Sequence, residues 1–205
     1  MQRVKFVDLG AQYRTHRDEI LDAIDKVGTD GSYVLGRDVD DFENDFAAYC
    51  GSKYAVGVGN GSDALFLSLL ALGVGEGDEV ITVAAGFPTT VAPIIQVGAI
   101  PVFIDANPVT GNAKCEQLEE AYSPGKTKAV MMAHALGNPF NLLETLKFCK
   151  KYDLYLIEDN CDALGCSYSM PKETAKKLGF TENSPGLDDG PENIIRWTGT
   201  WGDIS

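Results

Sequence analysis

An α/β fold with a mostly parallel sheet, covered by helices on both faces, is predicted by three observations. Apolar runs of strand length alternate with amphipathic stretches of helix length along most of the chain. The strand runs lead into glycine-, acid- or proline-containing junctions that open the next helix, and such alternation implies a mostly parallel sheet. Glycine and proline fall at helix boundaries, with Pro88 in a first turn and Gly51 and Gly98 as stops. No internal repeat interrupts this order.

The elements follow in sequence. Ile20, Leu21 and Ile24 recur at helical spacing and predict a helix over Thr15–Val27. A second helix follows Arg37, with Phe42, Phe46 and Ala47 on one face. Tyr54–Val58 reads as a buried strand, after which Ser62 caps a helix carrying Leu65, Leu69 and Leu70. Glu79–Val83, Ile100–Asp105, Thr127–Met132 and Leu154–Glu158 read as strands. Thr89–Gln96, Gln117–Tyr122 and Asn141–Tyr152 read as the helices between them. From Ser167 to about Arg196 the pattern dissolves into Pro, Gly, Asn and acids, which predicts a functional or mobile loop. Trp197–Ser205 reads as the start of a further strand. The expected organisation is a helical lead-in over residues 1–36, then a large domain over 37–205 with a loop insertion at about 167–196.

Bulk properties exclude several classes. With 205 residues, 44% hydrophobic and 23% charged, the chain suits one globular core with an appendage. A formal charge of −13 argues against nucleic acid, because phosphate backbones need clustered Lys and Arg. No apolar run approaches a membrane span, and Met1–Asp8 lacks the apolar core of a signal peptide, so the expected location is cytoplasmic. The five cysteines (Cys50, Cys115, Cys149, Cys161, Cys166) are scattered, which suits reduced thiols rather than a disulfide framework.

Four junctions carry chemistry. Leu156-Ile157-Glu158-Asp159-Asn160-Cys161-Asp162 runs an apolar strand into acids and a thiol, at the end of the sheet where α/β folds bind ligands. A carboxylate there is costly to bury without a partner. The protonated ring nitrogen of a pyridoxal-type cofactor is the partner inferred for Asp159. Helix capping is the structural alternative for Asp159 and Asp162, and an inert thiol for Cys161. In Gly57-Val58-Gly59-Asn60-Gly61-Ser62-Asp63, the amides of Gly61, Ser62 and Asp63 suit a phosphate at a helix start, although a plain capped turn needs the same residues. A dinucleotide fingerprint is disfavoured there, because Asp78 and Glu79 begin the next strand rather than end it. Phe87 follows a strand and either stacks on a flat ring or fills the core. His134 follows another and is either a ligand contact or a structural hydrogen-bonding group.

Taken together, these junctions resemble the nucleotide-sugar aminotransferase family (DegT/StrS type) of fold type I pyridoxal-phosphate enzymes. The resemblance extends from Phe6-Val7-Asp8-Leu9 through Ser32-Tyr33-Val34-Leu35-Gly36 to Gly202-Asp203. It implies pyridoxal 5′-phosphate or pyridoxamine 5′-phosphate as cofactor, with Gly61, Ser62 and Asp63 on the phosphate, Phe87 stacked on the ring and Asp159 on its nitrogen. Asp162 and His134 would tune the ring's oxygen side or position a nucleotide-sugar substrate. A homodimer is implied as well.

Within the family, Ala85-Gly86-Phe87-Pro88-Thr89-Thr90 and Asp159-Asn160-Cys161-Asp162-Ala163-Leu164-Gly165 look most like the CDP-4-keto-6-deoxyglucose 3-dehydratase subgroup. Ordinary aminotransferases usually show Ala-Gln at Cys161-Asp162. Some members of that subgroup carry a two-iron, two-sulfur cluster, to which Cys161 would give one ligand. Gly31-Ser32-Tyr33 and Asp63-Ala64-Leu65 look more like the plain aminotransferases. The family's Schiff-base lysine, a histidine in the dehydratases, would fall just past Ser205. The expectation is therefore the N-terminal part of a C-terminally truncated large domain, inactive alone, from an enzyme of deoxysugar or lipopolysaccharide biosynthesis. A nucleotide-sugar transaminase, a nicotinamide-dependent Rossmann enzyme and an inactive fragment are the alternatives.

Overall fold

The computed structural model describes residues 5–188 and 190–205; Met1–Val4, part of the N-terminal stretch and of the expected lead-in, lie outside the described residues. Two compact units are distinguished, one ending at Asp45 and one running Phe46–Ser205.

Helix α1 (Leu9–Asp30) is longer than its apolar spacing predicts because both ends are capped. The Asp8 carboxylate accepts from the Ala11 amide at 2.9 Å, and Gly31 takes the left-handed conformation at the other end (φ 68°). The predicted face stays open: Ile20 and Ile24 are exposed, and α1 has no buried residue. Helix α2 (Arg37–Cys50) begins with Asp38 and Asp40 in its first turn, where the helix dipole favours acids.

The second unit is built on helix α3 (Gly61–Ala71), strand β1 (Glu79–Val83), helix α4 (Pro88–Gln96), strand β2 (Ile100–Ile104), helix α5 (Leu118–Ala121), strand β3 (Thr127–Ala133), helix α6 (Leu142–Tyr152) and strand β4 (Tyr155–Asp159). The strands pair in the order β2-β1-β3-β4, all parallel. Because successive side chains alternate, each strand feeds two cores. Val80, Ala129, Met131 and Ile157 pack with Leu65, Leu69 and Ile94 of α3 and α4. Ile81, Val130, Met132 and Leu156 pack with Leu142, Leu146 and Phe148 of α6. Both faces are thus covered, as predicted.

Three expectations are corrected. Tyr54–Val58 joins no sheet, and Tyr54 and Val56 are exposed, so its apolar content reflects neither a ladder nor a core. The stretch expected to be a loop instead forms strand β5 (Ser167–Pro171), helix α7 (Lys172–Leu178) and strand β6 (Asn193–Trp197), with β5 and β6 antiparallel. Met170, Ala175 and Ile194 bury its small apolar face, too short a pattern to be read as periodic. Last, Thr198–Gly202 is a turn, not a strand. Only the residues after it join the sheet, where Ile204 pairs in parallel with Ile157 on the free edge of β4. Among the described residues, no helix is long and apolar enough to cross a membrane.

Candidate active site

The carboxyl ends of β1, β3 and β4 gather the residues singled out in the sequence. Asp159 ends β4 and is 6% exposed. Its Oδ2 accepts from the Thr90 hydroxyl at 2.6 Å and its Oδ1 from the Cys161 amide at 3.2 Å. Among the described residues, no Lys, Arg or His forms an ion pair with it. Glu158, its neighbour, points the opposite way because strand side chains alternate. The pleat therefore separates the two carboxylates onto opposite faces of the sheet.

Glu158 is wholly buried and accepts four donors. Trp201 and Gly202 amides reach Oε1 at 2.8 and 2.5 Å, and the Gly199 amide reaches Oε2 at 2.9 Å. His134 Nε2 lies 2.9 Å from Oε2. The Phe140 amide donates to His134 Nδ1 at 3.3 Å, so Nε2 carries the proton and donates to Glu158. The imidazole is also stacked on Phe140, 4.3 Å between centroids and 9° between planes. His134 is thus corrected from a ligand contact to a structural group: it has no exposed surface and both nitrogens are engaged.

The glycine loop meets the same end of the sheet. A Cβ added to Gly61 would lie 3.3 Å from Cys161 Sγ, so the start of α3 abuts the turn after β4. The cap is Asn60, not Ser62. Its Oδ1 accepts from the Asp63 amide at 3.0 Å, and its Nδ2 donates to Asp63 Oδ2 at 2.9 Å. The Asp63 amide is therefore engaged by the cap rather than free at the helix start. Gly61 and Ser62 are exposed, and first-turn amides have no partner inside their own helix. The loop follows no strand, so it lacks the context that a dinucleotide fingerprint requires.

Phe87 stands before α4 as its N-terminal flanking residue, and at 73% exposed it is not a core aromatic. Asp162 is exposed in the turn after β4. Cys161 lies in that turn too, where partial burial and then the Asp159 carboxylate push its thiol up to about 11. No three His, Cys, Asp or Glu side chains converge on a metal position among the described residues, so Cys161 has no co-ligand there.

Thr90 was not singled out from the sequence. Its signal is weak: one of two adjacent threonines after Pro88, with a partner 69 positions away. Asn60 was legible as a cap but overshadowed by Ser62, which is equally suited.

The chain belongs to the DegT/DnrJ/EryC1/StrS aminotransferase family, whose model matches residues 14–183. Across 184 residues it is 36% identical to dTDP-3-amino-3,6-dideoxy-alpha-D-galactopyranose transaminase of Aneurinibacillus thermoaerophilus, covering 90% of this chain and 49% of that one. It superposes on the crystal structure of DesV from S. venezuelae with a TM-score of 0.78 at 30% identity, over 97% of this chain and 54% of the other. It is also similar to GDP-4-keto-6-deoxymannose-3-dehydratase, solved with a trapped PLP-glutamate geminal diamine (TM-score 0.65, 37% identity, 70% and 38% covered). The chain spans about half the length of such curated relatives. The fold is that of the fold type I pyridoxal-phosphate enzymes, as the resemblance implied.

Proposed function

We propose that this chain is the cofactor-binding part of a pyridoxal- or pyridoxamine-phosphate enzyme acting on a nucleotide-linked 4-keto-6-deoxyhexose. The observation that carries the reading is Asp159, a nearly buried carboxylate at the ligand-binding end of the sheet with no cation paired to it among the described residues. A protonated pyridine nitrogen is the complementary charge. The first amides of α3, at Gly61 and Ser62, suit the phosphate, and Phe87 offers an exposed ring face for stacking. When bound, the cofactor's ring acts as the electron sink for the reacting carbon. Asp159 keeps the proton on the ring nitrogen, Phe87 excludes water from one face, and Asp162 is placed on the turn beside them to meet substrate.

Of the two reactions in the family, removal of the C3 hydroxyl by a 3-dehydratase is favoured here, on Cys161-Asp162 in place of Ala-Gln. Transamination is the second reading, favoured by the transaminase relative that covers 90% of the chain. A second copy of the chain is the expected partner.

Titrating the chain with pyridoxal 5′-phosphate and with pyridoxamine 5′-phosphate, followed by ring absorbance, tests the site. Saturable binding that weakens in Asp159→Ala and Phe87→Ala is expected. A spectrum identical to that of free cofactor would overturn the reading. With pyridoxamine phosphate and the keto sugar, a product in which hydrogen has replaced the C3 hydroxyl, the cofactor's amine carbon being oxidised to the aldehyde and its nitrogen leaving as ammonia, marks the dehydratase. One carrying a new amine marks the transaminase.

A further inference from the structure

We propose that Thr90 is a positioning residue that locks the two ring-contacting groups, Asp159 and Phe87, into one fixed relation. The inference rests on the reading above, in which those two groups take the nitrogen edge and the face of a single pyridine ring. Thr90 lies in the first turn of α4 and is 2% exposed. Its hydroxyl donates to Asp159 Oδ2 at 2.6 Å, and its amide donates to the Phe87 carbonyl at 3.0 Å. One residue therefore ties the end of β4 to the backbone that presents Phe87.

The chemistry of the contact suits that role. A hydroxyl donating to a carboxylate at this distance is a charge-assisted bond, stronger than a neutral one. Threonine's branched Cβ restricts χ1, so the hydroxyl is held on target at little entropic cost. With Oδ2 held by Thr90 and Oδ1 touched by the Cys161 amide, the plane of the Asp159 carboxylate is defined from both sides. Without the hydroxyl, a nearly buried carboxylate loses the donor that fixes Oδ2 and is free to rotate, which weakens its hold on a ring N–H. The Cys161 thiol, on the same turn, is the titratable side chain on which the Asp159 carboxylate acts.

The test uses the chain with pyridoxamine 5′-phosphate as probe. Ring absorbance is followed across pH for the unaltered chain and for Thr90→Val, Thr90→Ser and Asp159→Asn. Thr90→Val keeps the shape and removes the donor. It is expected to bind the probe about tenfold more weakly, and its ring nitrogen should titrate about one pH unit lower than in the unaltered chain, the scale of one hydrogen bond to a charged group. Thr90→Ser restores the hydroxyl and should restore both values. In the Asp159→Asn background, Thr90→Val should shift the ring nitrogen no further. An unaltered ring titration in Thr90→Val, with the probe bound, would overturn the role of Thr90 and leave the site reading standing. No binding by the unaltered chain would overturn the site reading, and the inference with it. A Thr90→Ser variant that titrates like Thr90→Val would assign the effect to packing and overturn the role as well.

Discussion

His134 Nε2 lies 2.9 Å from Glu158 Oε2, with both side chains wholly excluded from solvent and the carboxylate also accepting the amides of Gly199, Trp201 and Gly202. The pair joins β3 to β4 and pins the turn that returns the chain to the edge of β4. Its role is architectural, on the face of the sheet opposite Asp159.

Glu158→Ala should therefore be among the most damaging single changes, because it leaves four buried or half-buried donors without an acceptor. A loss of about 3–5 kcal/mol is expected. His134→Ala keeps the three amide contacts of Glu158, so it should lose less, about 2–4 kcal/mol, by a cavity and two hydrogen bonds. Urea denaturation followed by circular dichroism measures both. If His134→Ala left stability unchanged, the structural assignment would fail.

Gly202→Ala tests the same turn by shape alone. An added Cβ would lie 2.6 Å from the Leu156 carbonyl oxygen, a contact with backbone that no rotamer relieves. A loss of about 1–3 kcal/mol is expected in the same denaturation measurement. Tolerance of alanine at that position would mean the turn does not pack against β4 as described.

Asn60→Ala and Ser62→Ala separate the cap from the cradle. Removing the Asn60 side chain should cost about 1 kcal/mol of stability, as for other caps. Ser62→Ala should leave stability within about 0.5 kcal/mol, as at most exposed positions. It should still weaken binding of the phosphate-bearing cofactor. Thermal melts and cofactor titrations give the two readouts, and equal thermal losses would contradict the assignment of the cap to Asn60.

Cys161 offers a pH-dependent check on the centre. Its thiol is pushed up to about 11 by burial and by the Asp159 carboxylate, so the reactive thiolate is scarce near neutral pH. Alkylation should be slow despite exposure and should quicken roughly tenfold per pH unit until about 11. Asp159→Asn removes a charge that holds the proton on sulfur, so it should accelerate labelling at fixed pH. Peptide mass spectrometry after timed iodoacetamide exposure measures the rate, and an unchanged rate in Asp159→Asn would separate the two groups.

Much of this was legible in the sequence where the signal is local. The parallel sheet followed from continuous apolar runs, and Asp159 from its position at a strand's end. What stayed hidden depends on distant partners. The acids of the 158–162 cluster look mutually repulsive in a line of letters, yet a pleat sends Glu158 and Asp159 to opposite faces. His134 sits at a ligand-binding end by topology, and only the Phe140 amide and Glu158 reveal that both nitrogens are taken. Tyr54–Val58 has strand composition, but a strand needs a neighbour, which composition does not supply.

The pairing of Ile204 with Ile157 bears on how the polypeptide matures on a ribosome. β4 emerges more than forty residues before the segment that closes its outer edge, and until then Glu158 has no amides to receive it. For that interval a growing chain exposes an unzipped parallel border and an acid still without its protein donors, the kind of surface that invites a chaperone or a neighbouring nascent chain. Codons that slow synthesis between β4 and Trp201 would lengthen that window and lower the soluble yield.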